Sequence, residues 1–137
     1  MRRPGSVRLL VLCARCVVGV VFALSGLAKL WVPGSFPVAV SRLVPVAALH
    51  PAVVVGLPLF ELAVGLLVLA DAWRRHVSWA VFGLAACFVA VRLAAFAGLL
   101  DRVPCGCFGS VLELEERAGF ALDLVVLAFS VALVRRR

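Results

Sequence analysis

Charged residues are scarce in this chain. Only 15% of its 137 residues are charged, 65% are hydrophobic, and the mean hydropathy is +1.17. A water-soluble domain needs a more polar exterior than this composition supplies, so a soluble globular protein is excluded. Internal repeats and low-complexity linkers are also lacking, and the length suits one domain, which we assign to residues 1–137. The composition therefore predicts a single-domain integral membrane protein.

The apolar residues also lack the alternation of a membrane β-strand. They form continuous runs, and a spanning segment must satisfy its own backbone hydrogen bonds, so helices are expected rather than a barrel. Each run is near the roughly 20 residues that a helix needs to cross the hydrocarbon core. We expect the first run to be retained rather than cleaved as a signal peptide, because it continues past any small-residue cleavage site. The predicted fold is an all-α bundle of four transmembrane helices at residues 9–31, 51–70, 77–100 and 119–134.

Positive charge is concentrated in three segments that four helices would bring to one side. These segments precede the first helix, join the second to the third and follow the fourth; their arginines are Arg2, Arg3, Arg8, Arg74, Arg75, Arg135, Arg136 and Arg137. The positive-inside rule therefore predicts cytoplasmic termini in a cell membrane, with the opposite loops facing outward. The net charge of +7 then reflects topology and contact with the lipid bilayer, and no nucleic-acid partner is expected.

Two cysteines separated by one glycine lie between the third and fourth predicted helices. In an oxidising compartment Cys105 and Cys107 can close into a disulfide, and Gly106 supplies the backbone freedom that such a small ring needs. A strained disulfide exchanges readily, which predicts a redox-active dithiol in which one thiolate attacks and the other resolves the mixed disulfide. Two alternatives stay open: a static pair in a non-catalytic assembly scaffold, and a site for Cu(I) or another soft metal.

Histidine is too rare to complete a metal site around this pair. His50 is the only histidine on that side of the bundle, and no second pair of cysteines or histidines completes a tetrahedron. A residue signature for quinone is missing too, so neither a metal nor a cofactor is predicted, and quinone and Cu(I) stay unsupported options. The remaining cysteines lack the βαβ context of a thioredoxin motif and are expected to pack as small buried hydrophobes: Cys13, Cys16 and Cys87.

Four ionisable residues fall in the outer half of the predicted helices: Lys29, Glu61, Arg92 and Asp123. Charge in hydrocarbon is costly unless it is paired or hydrated, so all four should point into the bundle, where their charges sum to zero. In one interpretation such pairs, including Glu61 with Arg92, only fasten the helices, and Lys29 snorkels like Arg15. In the other, Arg92 or Lys29 stabilises a thiolate while Glu61 or Asp123 moves its proton.

Small residues are grouped in the first two predicted helices. Gly19, Ser25 and Gly26 lie in the first helix, and Gly56 and Gly65 lie in the second. Such residues let helices approach closely, so we expect them to serve packing, without a chemical role.

Three motifs in chain order resemble one family. They are "FALSGLAKL" at 22–30, "LPLFELAVGLL" at 57–67 and "CGCFG" at 105–109. The charged residues of the first two motifs fall in the patterns Ser-Gly-x-x-Lys and Glu-x-x-x-Gly. Over residues 15–133 the chain resembles the methylamine utilisation protein MauE family, small four-helix membrane proteins related to the DoxX group. By position the resemblance marks six residues: Lys29, Glu61, Cys105, Cys107, Phe108 and Gly109.

The resemblance implies a function and partners. Such a protein would help to mature an exported, disulfide-rich enzyme subunit, in the founding case the small subunit of methylamine dehydrogenase. It would act beside a thioredoxin-like protein. Combined with the Cys-Gly-Cys motif, this predicts thiol-disulfide exchange with an exported, disulfide-containing client.

Overall fold

The computed structural model describes residues 4–99 and 116–135. Within these ranges the chain forms five α-helices and one short 3-10 helix at Ala47–Leu49, and no strand. The α-helices are α1 Pro4–Trp31, α2 Phe36–Leu43, α3 His50–Leu69, α4 Arg74–Phe96 and α5 Glu116–Arg135. The predicted redox motif falls outside the described residues: Cys105, Gly106, Cys107, Phe108 and Gly109.

Four of the described helices are long and apolar enough to cross a membrane. The spans are Gly5–Trp31, Ala47–Leu69, Arg74–Phe96 and Arg117–Arg135. In each span, only 17% to 28% of the most apolar stretch of 18 residues is buried inside the protein. The remaining apolar residues form outer faces that suit lipid tails. The predicted all-α membrane bundle is confirmed.

The third long helix ends earlier than the apolar run predicts. The run continues to residue 100, but α4 stops at Phe96 because Gly98 adopts a left-handed conformation with φ of 71°. The Gly98 amide donates to the Ala95 carbonyl and the Leu99 amide donates to the Ala94 carbonyl, which closes the helix end. The hydropathy of the run counts apolar residues and does not show that a glycine ends the helix before residue 100.

Successive long helices run in opposite directions and give the bundle two ends. At one end α1 finishes, α3 begins, α4 finishes and α5 begins; we call it the Lys29 end. At the other, the Arg15 end, a turn at residues 70–73 joins α3 to α4. Residues 100–115 connect α4 to α5, so both attachment points of the segment that holds the two cysteines lie at the Lys29 end.

Glycines bring α1 and α3 into the closest packing of the bundle. A Cβ atom on Gly26 would lie 2.5 Å from the Pro58 carbonyl oxygen, and one on Gly65 would lie 2.5 Å from the Ala23 amide nitrogen. Real Cβ atoms do not approach backbone so closely, and only glycine fits at these two positions. The predicted packing role holds for Gly19 as well, where a Cβ would meet the Leu69 side chain at 2.6 Å.

We expect Gly65→Ala to destabilise the protein by about 1–3 kcal/mol, because the added methyl group must force α1 and α3 apart. Gly56→Ala on the same helix is the matched control, since a Cβ there meets nothing within 4 Å. The measurement is unfolding of both variants in mixed micelles with increasing dodecyl sulfate. Equal midpoints for the two variants would contradict the close packing.

A hydrophobic core joins all four long helices. Phe22 from α1 and valines from every long helix meet here, and α5 packs against both α4 and α1. The buried members are Val18, Phe22, Val64, Val68, Val77, Val81, Ala85 and Val126. This core fixes the rotation of each helix and decides which polar residues turn inward.

The short helix α2 lies across the Lys29 end and packs on α3. Its proline lies in the first turn, where a missing amide hydrogen costs little, and its buried face is formed by Phe36, Ala39 and Val40. The sequence predicted only a connection in this region, because prolines interrupt it. As a helix, α2 places an aromatic ring over the charged residues below.

Candidate functional site

A buried ion pair joins α1 to α3 at the Lys29 end. The Lys29 Nζ atom lies 2.7 Å from both carboxylate oxygens of Glu61, and the two side chains are 1% and 0% exposed. Snorkelling of Lys29 was the wrong expectation, and so was pairing of Glu61 with Arg92. The rotation of α1 against α3 points both side chains into the same interior site.

Ser25 belongs to the same site, although only packing was expected of it. Its hydroxyl donates to Oε2 of Glu61 at 3.1 Å. Ser25 and Lys29 are one turn apart and share a face of α1. Between them, Gly26 lets the backbone of α3 approach. The Ser-Gly-x-x-Lys motif is therefore one physical unit that binds a carboxylate from the neighbouring helix.

Two aromatic rings complete the surroundings of the ammonium group. Nζ of Lys29 lies 5.1 Å from the centre of the Phe36 ring and 5.0 Å from the centre of the Phe88 ring, within the range of cation–π attraction. We call Ser25, Lys29, Phe36, Glu61 and Phe88 the Lys-Glu cluster. The two rings were not predicted, since nothing in the sequence distinguishes them among nine phenylalanines.

A second ion pair joins α4 to α5. Nε of Arg92 lies 2.8 Å from Oδ2 of Asp123, with side chains 10% and 13% exposed. Gly119 makes room for the guanidinium group, because a Cβ there would lie 2.8 Å from Nη1. Close by, the rings of Phe96 and Phe120 pack edge to face at 5.5 Å. These contacts hold together the end of α4 and the start of α5.

The four predicted charges thus form two neutral pairs, at the same end of the bundle. Phe88 and Arg92 are one turn apart on α4, which places the second pair beside the Lys-Glu cluster. Both oxygens of Glu61 already accept hydrogen bonds from Lys29 and Ser25. The ammonium charge is neutralised where it lies, and the pair fits a rigid support better than a free acid or base.

The other cysteines take no part in this site. Cys13, Cys16 and Cys87 are free thiols on the exposed outer surface, so the expectation that they are buried was wrong. A thiol is apolar enough to face lipid tails. Within residues 4–99 and 116–135, no three His, Cys, Asp or Glu side chains are grouped to hold a metal ion.

Arg15, at the opposite end, is also paired rather than snorkelling alone. Its Nη1 atom lies 2.9 Å from Oδ1 of Asp71, and its Nη2 atom donates to the Leu69 carbonyl at 3.1 Å. Asp71 follows α3 in a left-handed conformation with φ of 57°, which turns its carboxylate toward α1. The sequence led to no prediction for Asp71, because it lies outside the predicted helices.

Comparison with known proteins identifies the family. A protein-family model described as methylamine utilisation protein MauE matches residues 7–136. The chain therefore belongs to the MauE family over nearly its whole length, and the resemblance seen in the motifs is confirmed. No curated protein and no solved structure shows a significant match to the chain.

Proposed function

We propose that this member of the MauE family helps an exported protein to mature by exchanging disulfides through Cys105 and Cys107. The description of the family supports a role in methylamine utilisation, in which the client would be a disulfide-rich subunit of an amine-oxidising enzyme. A membrane-tethered thioredoxin-like protein is the second proposed partner. In this proposal the Lys29 end faces outward, away from the arginine-rich termini.

The observation that carries the proposal is the presence of two ion pairs at the Lys29 end, which together we call the platform. The Lys29–Glu61 pair is buried, and the partly exposed Arg92–Asp123 pair joins the helices to which residues 100–115 are attached. Cys105 follows Leu99 by a few residues, and a chain of that length can extend at most roughly 20 Å from Leu99. This tether supports a dithiol that works next to the platform, where a partner can dock against fixed helix ends.

The two ion pairs have different proposed roles. The Lys-Glu cluster fixes α1 and α3, because its charges are almost completely buried and bound to each other. The Arg92–Asp123 pair keeps partial exposure. It joins the last part of α4 to the first part of α5, the two helices that the cysteine segment connects. Arg92 is therefore the better placed cation to favour a thiolate, and Asp123 the better placed carboxylate to accept its proton.

The exchange itself needs no cofactor. One thiolate of the pair attacks a sulfur atom of the client disulfide, which forms a mixed disulfide and releases one client thiolate. The second cysteine then attacks the mixed disulfide and releases the other client thiolate, leaving Cys105 and Cys107 joined. Two electrons move from this chain to the client. The same steps in reverse oxidise a client dithiol, and the thioredoxin-like partner resets the pair by the same chemistry.

A trapped intermediate tests this proposal. We expect Cys105→Ser or Cys107→Ser to accumulate a mixed disulfide with the partner, because the resolving thiol is missing in one of the two variants. The measurement is a non-reducing gel of membranes from alkylated cells, with the adduct identified by mass spectrometry. Both variants are made in a background that lacks the three lipid-facing cysteines, so that any adduct must form at the remaining thiol.

The two alternatives give different results in the same strains. A static scaffold forms no adduct in either variant, although it can still be isolated with its client by affinity. A Cu(I) protein is purified with bound copper that disappears in the variant Cys105→Ser with Cys107→Ser. The absence of adduct from both single variants would overturn the exchange proposal.

A further inference from the structure

A cavity opens at the Arg15 end, far from the cysteine segment. Its volume is about 730 Å³, and its walls come from α1, α3, α4, α5 and the turn between α3 and α4. The charged part of the wall is formed by Arg8, Arg15, Asp71, Arg74 and Arg75. The proposed function uses none of these residues.

The cavity has a strong excess of positive charge. Asp71 binds both Arg15 and Arg74, so a single carboxylate faces two arginines. Arg8 and Arg75 form no ion pair with any residue in the described part of the chain. The first turn of α4, which begins at this wall, contains no acidic residue to offset the positive end of the helix dipole. An anion is the ligand that these charges favour.

The uncharged part of the cavity wall is mostly apolar, with Ser78 contributing one hydroxyl. Val11, Leu67 and Leu133 line it, and we call these three residues the apolar floor. Arginines beside an apolar floor fit a ligand that has an anionic group attached to a hydrocarbon body. A small inorganic anion would leave that floor without a partner.

The position of the cavity along the helices corresponds to the headgroup layer of a membrane. The 20 residues of α3 are roughly 30 Å long, about the thickness of the hydrocarbon core. The cavity lies where α3 has just ended and α4 is beginning, and so at the level where phosphates of lipids lie. Arginine binds phosphate through two parallel hydrogen bonds, which a phosphodiester can accept.

We infer that this cavity binds the phosphodiester headgroup of an anionic phospholipid, with Arg8 and Arg75 contacting the phosphate and the acyl chains leaving along the apolar floor. The Arg15–Asp71–Arg74 group holds the wall in place through its ion pairs. The site joins α1, α3, α4 and α5, so a bound lipid should stabilise the bundle as any ligand of the folded state does.

The test compares the purified full-length chain in nanodiscs that contain phosphatidylglycerol or only phosphatidylcholine, with the same acyl chains. Retained lipid is counted by native mass spectrometry, and the midpoint of thermal unfolding is measured in parallel. The cavity variant is Arg8→Gln with Arg75→Gln, which leaves every ion pair of Asp71 intact. The control variant is Arg117→Gln with Arg135→Gln, which removes the same charge from exposed positions on α5 outside the cavity wall.

We expect the natural sequence and the control to retain phosphatidylglycerol and to unfold at a higher temperature with it, and the cavity variant to lose at least tenfold in affinity. Equal lipid retention by the cavity variant and the control would overturn the proposal. So would equal stabilisation by millimolar inorganic phosphate in phosphatidylcholine discs, since that result assigns the site to a soluble anion. Should the double variant unfold, Arg75→Gln alone gives the same comparison with a smaller expected loss.

Discussion

Lys29→Met should destabilise the protein by about 3–5 kcal/mol, because it leaves the carboxylate of Glu61 buried without its cation. Glu61 is 0% exposed and lies in the interior of α3, so solvent contact does not compensate for the lost cation. Its remaining hydrogen-bond partner in the described residues would be Ser25. We place this among the two largest effects expected of any substitution in the chain.

The converse change should cost less. Glu61→Leu leaves the ammonium group of Lys29 without its carboxylate, but the rings of Phe36 and Phe88 still face it and keep their cation–π attraction. The double variant Lys29→Met with Glu61→Leu should recover most of the lost stability, because both buried charges are then gone. The measurement is the unfolding midpoint in mixed micelles, with exposed Arg42→Gln as the control for loss of one cation.

The double variant also separates the two interpretations of the Lys-Glu cluster. A cluster that only fastens the helices predicts that disulfide exchange with the client returns once stability is restored. A cluster that takes part in the chemistry predicts a stable double variant without exchange. We expect exchange to return. Additive losses in the two single variants and the double variant would contradict the ion pair itself.

The second large effect should come from the cysteine pair. Cys105→Ser together with Cys107→Ser should reduce the amount of correctly disulfide-bonded client to the level of a deletion strain, because neither the attacking nor the resolving thiol remains. The change should leave the unfolding midpoint of the bundle nearly unchanged, since the packed core and both ion pairs lie on the helices.

The matched control removes cysteines without touching the motif. Cys13→Ser, Cys16→Ser and Cys87→Ser together should leave client maturation intact, because these thiols lie on the exposed outer surface. Loss of maturation in this triple variant would mean that electrons pass through the lipid-facing thiols. The proposal that the Cys-Gly-Cys pair acts alone would then be wrong.

The sequence predicted which segments form the long apolar helices better than how each helix is rotated about its axis. Hydropathy places Glu61 and Arg92 inside apolar runs and so shows that each must face a partner. It does not say which, because the partner depends on how the helices are turned against each other. That rotation comes from packing. Gly26 and Gly65 set α1 against α3 and so pair Glu61 with Lys29, and the shared core turns α4 and α5 so that Arg92 meets Asp123.

Lys29 shows why a local rule failed. A lysine in the last turn of a membrane helix usually reaches water, and the snorkelling expectation followed from that rule. Here α2 folds over the end of the bundle and places Phe36 against the ammonium group. The short helix could not be foreseen from periodicity, because it spans only eight residues and has a proline in its first turn. Tertiary packing therefore reversed the environment of Lys29.

The most direct test of the central claim is the redox state of Cys105 and Cys107 in intact cells. The cells are treated with a membrane-impermeant maleimide before and after mild reductant, using a chain whose other three cysteines have been replaced. We expect labelling only after reduction, which is the behaviour of an outward, easily reduced disulfide. Absence of labelling even in reductant, while an engineered cysteine at exposed Val46, in the connection between α2 and α3 at the same end of the bundle, is labelled, would contradict an accessible disulfide and with it the exchange mechanism. Absence of labelling at both places would contradict the orientation.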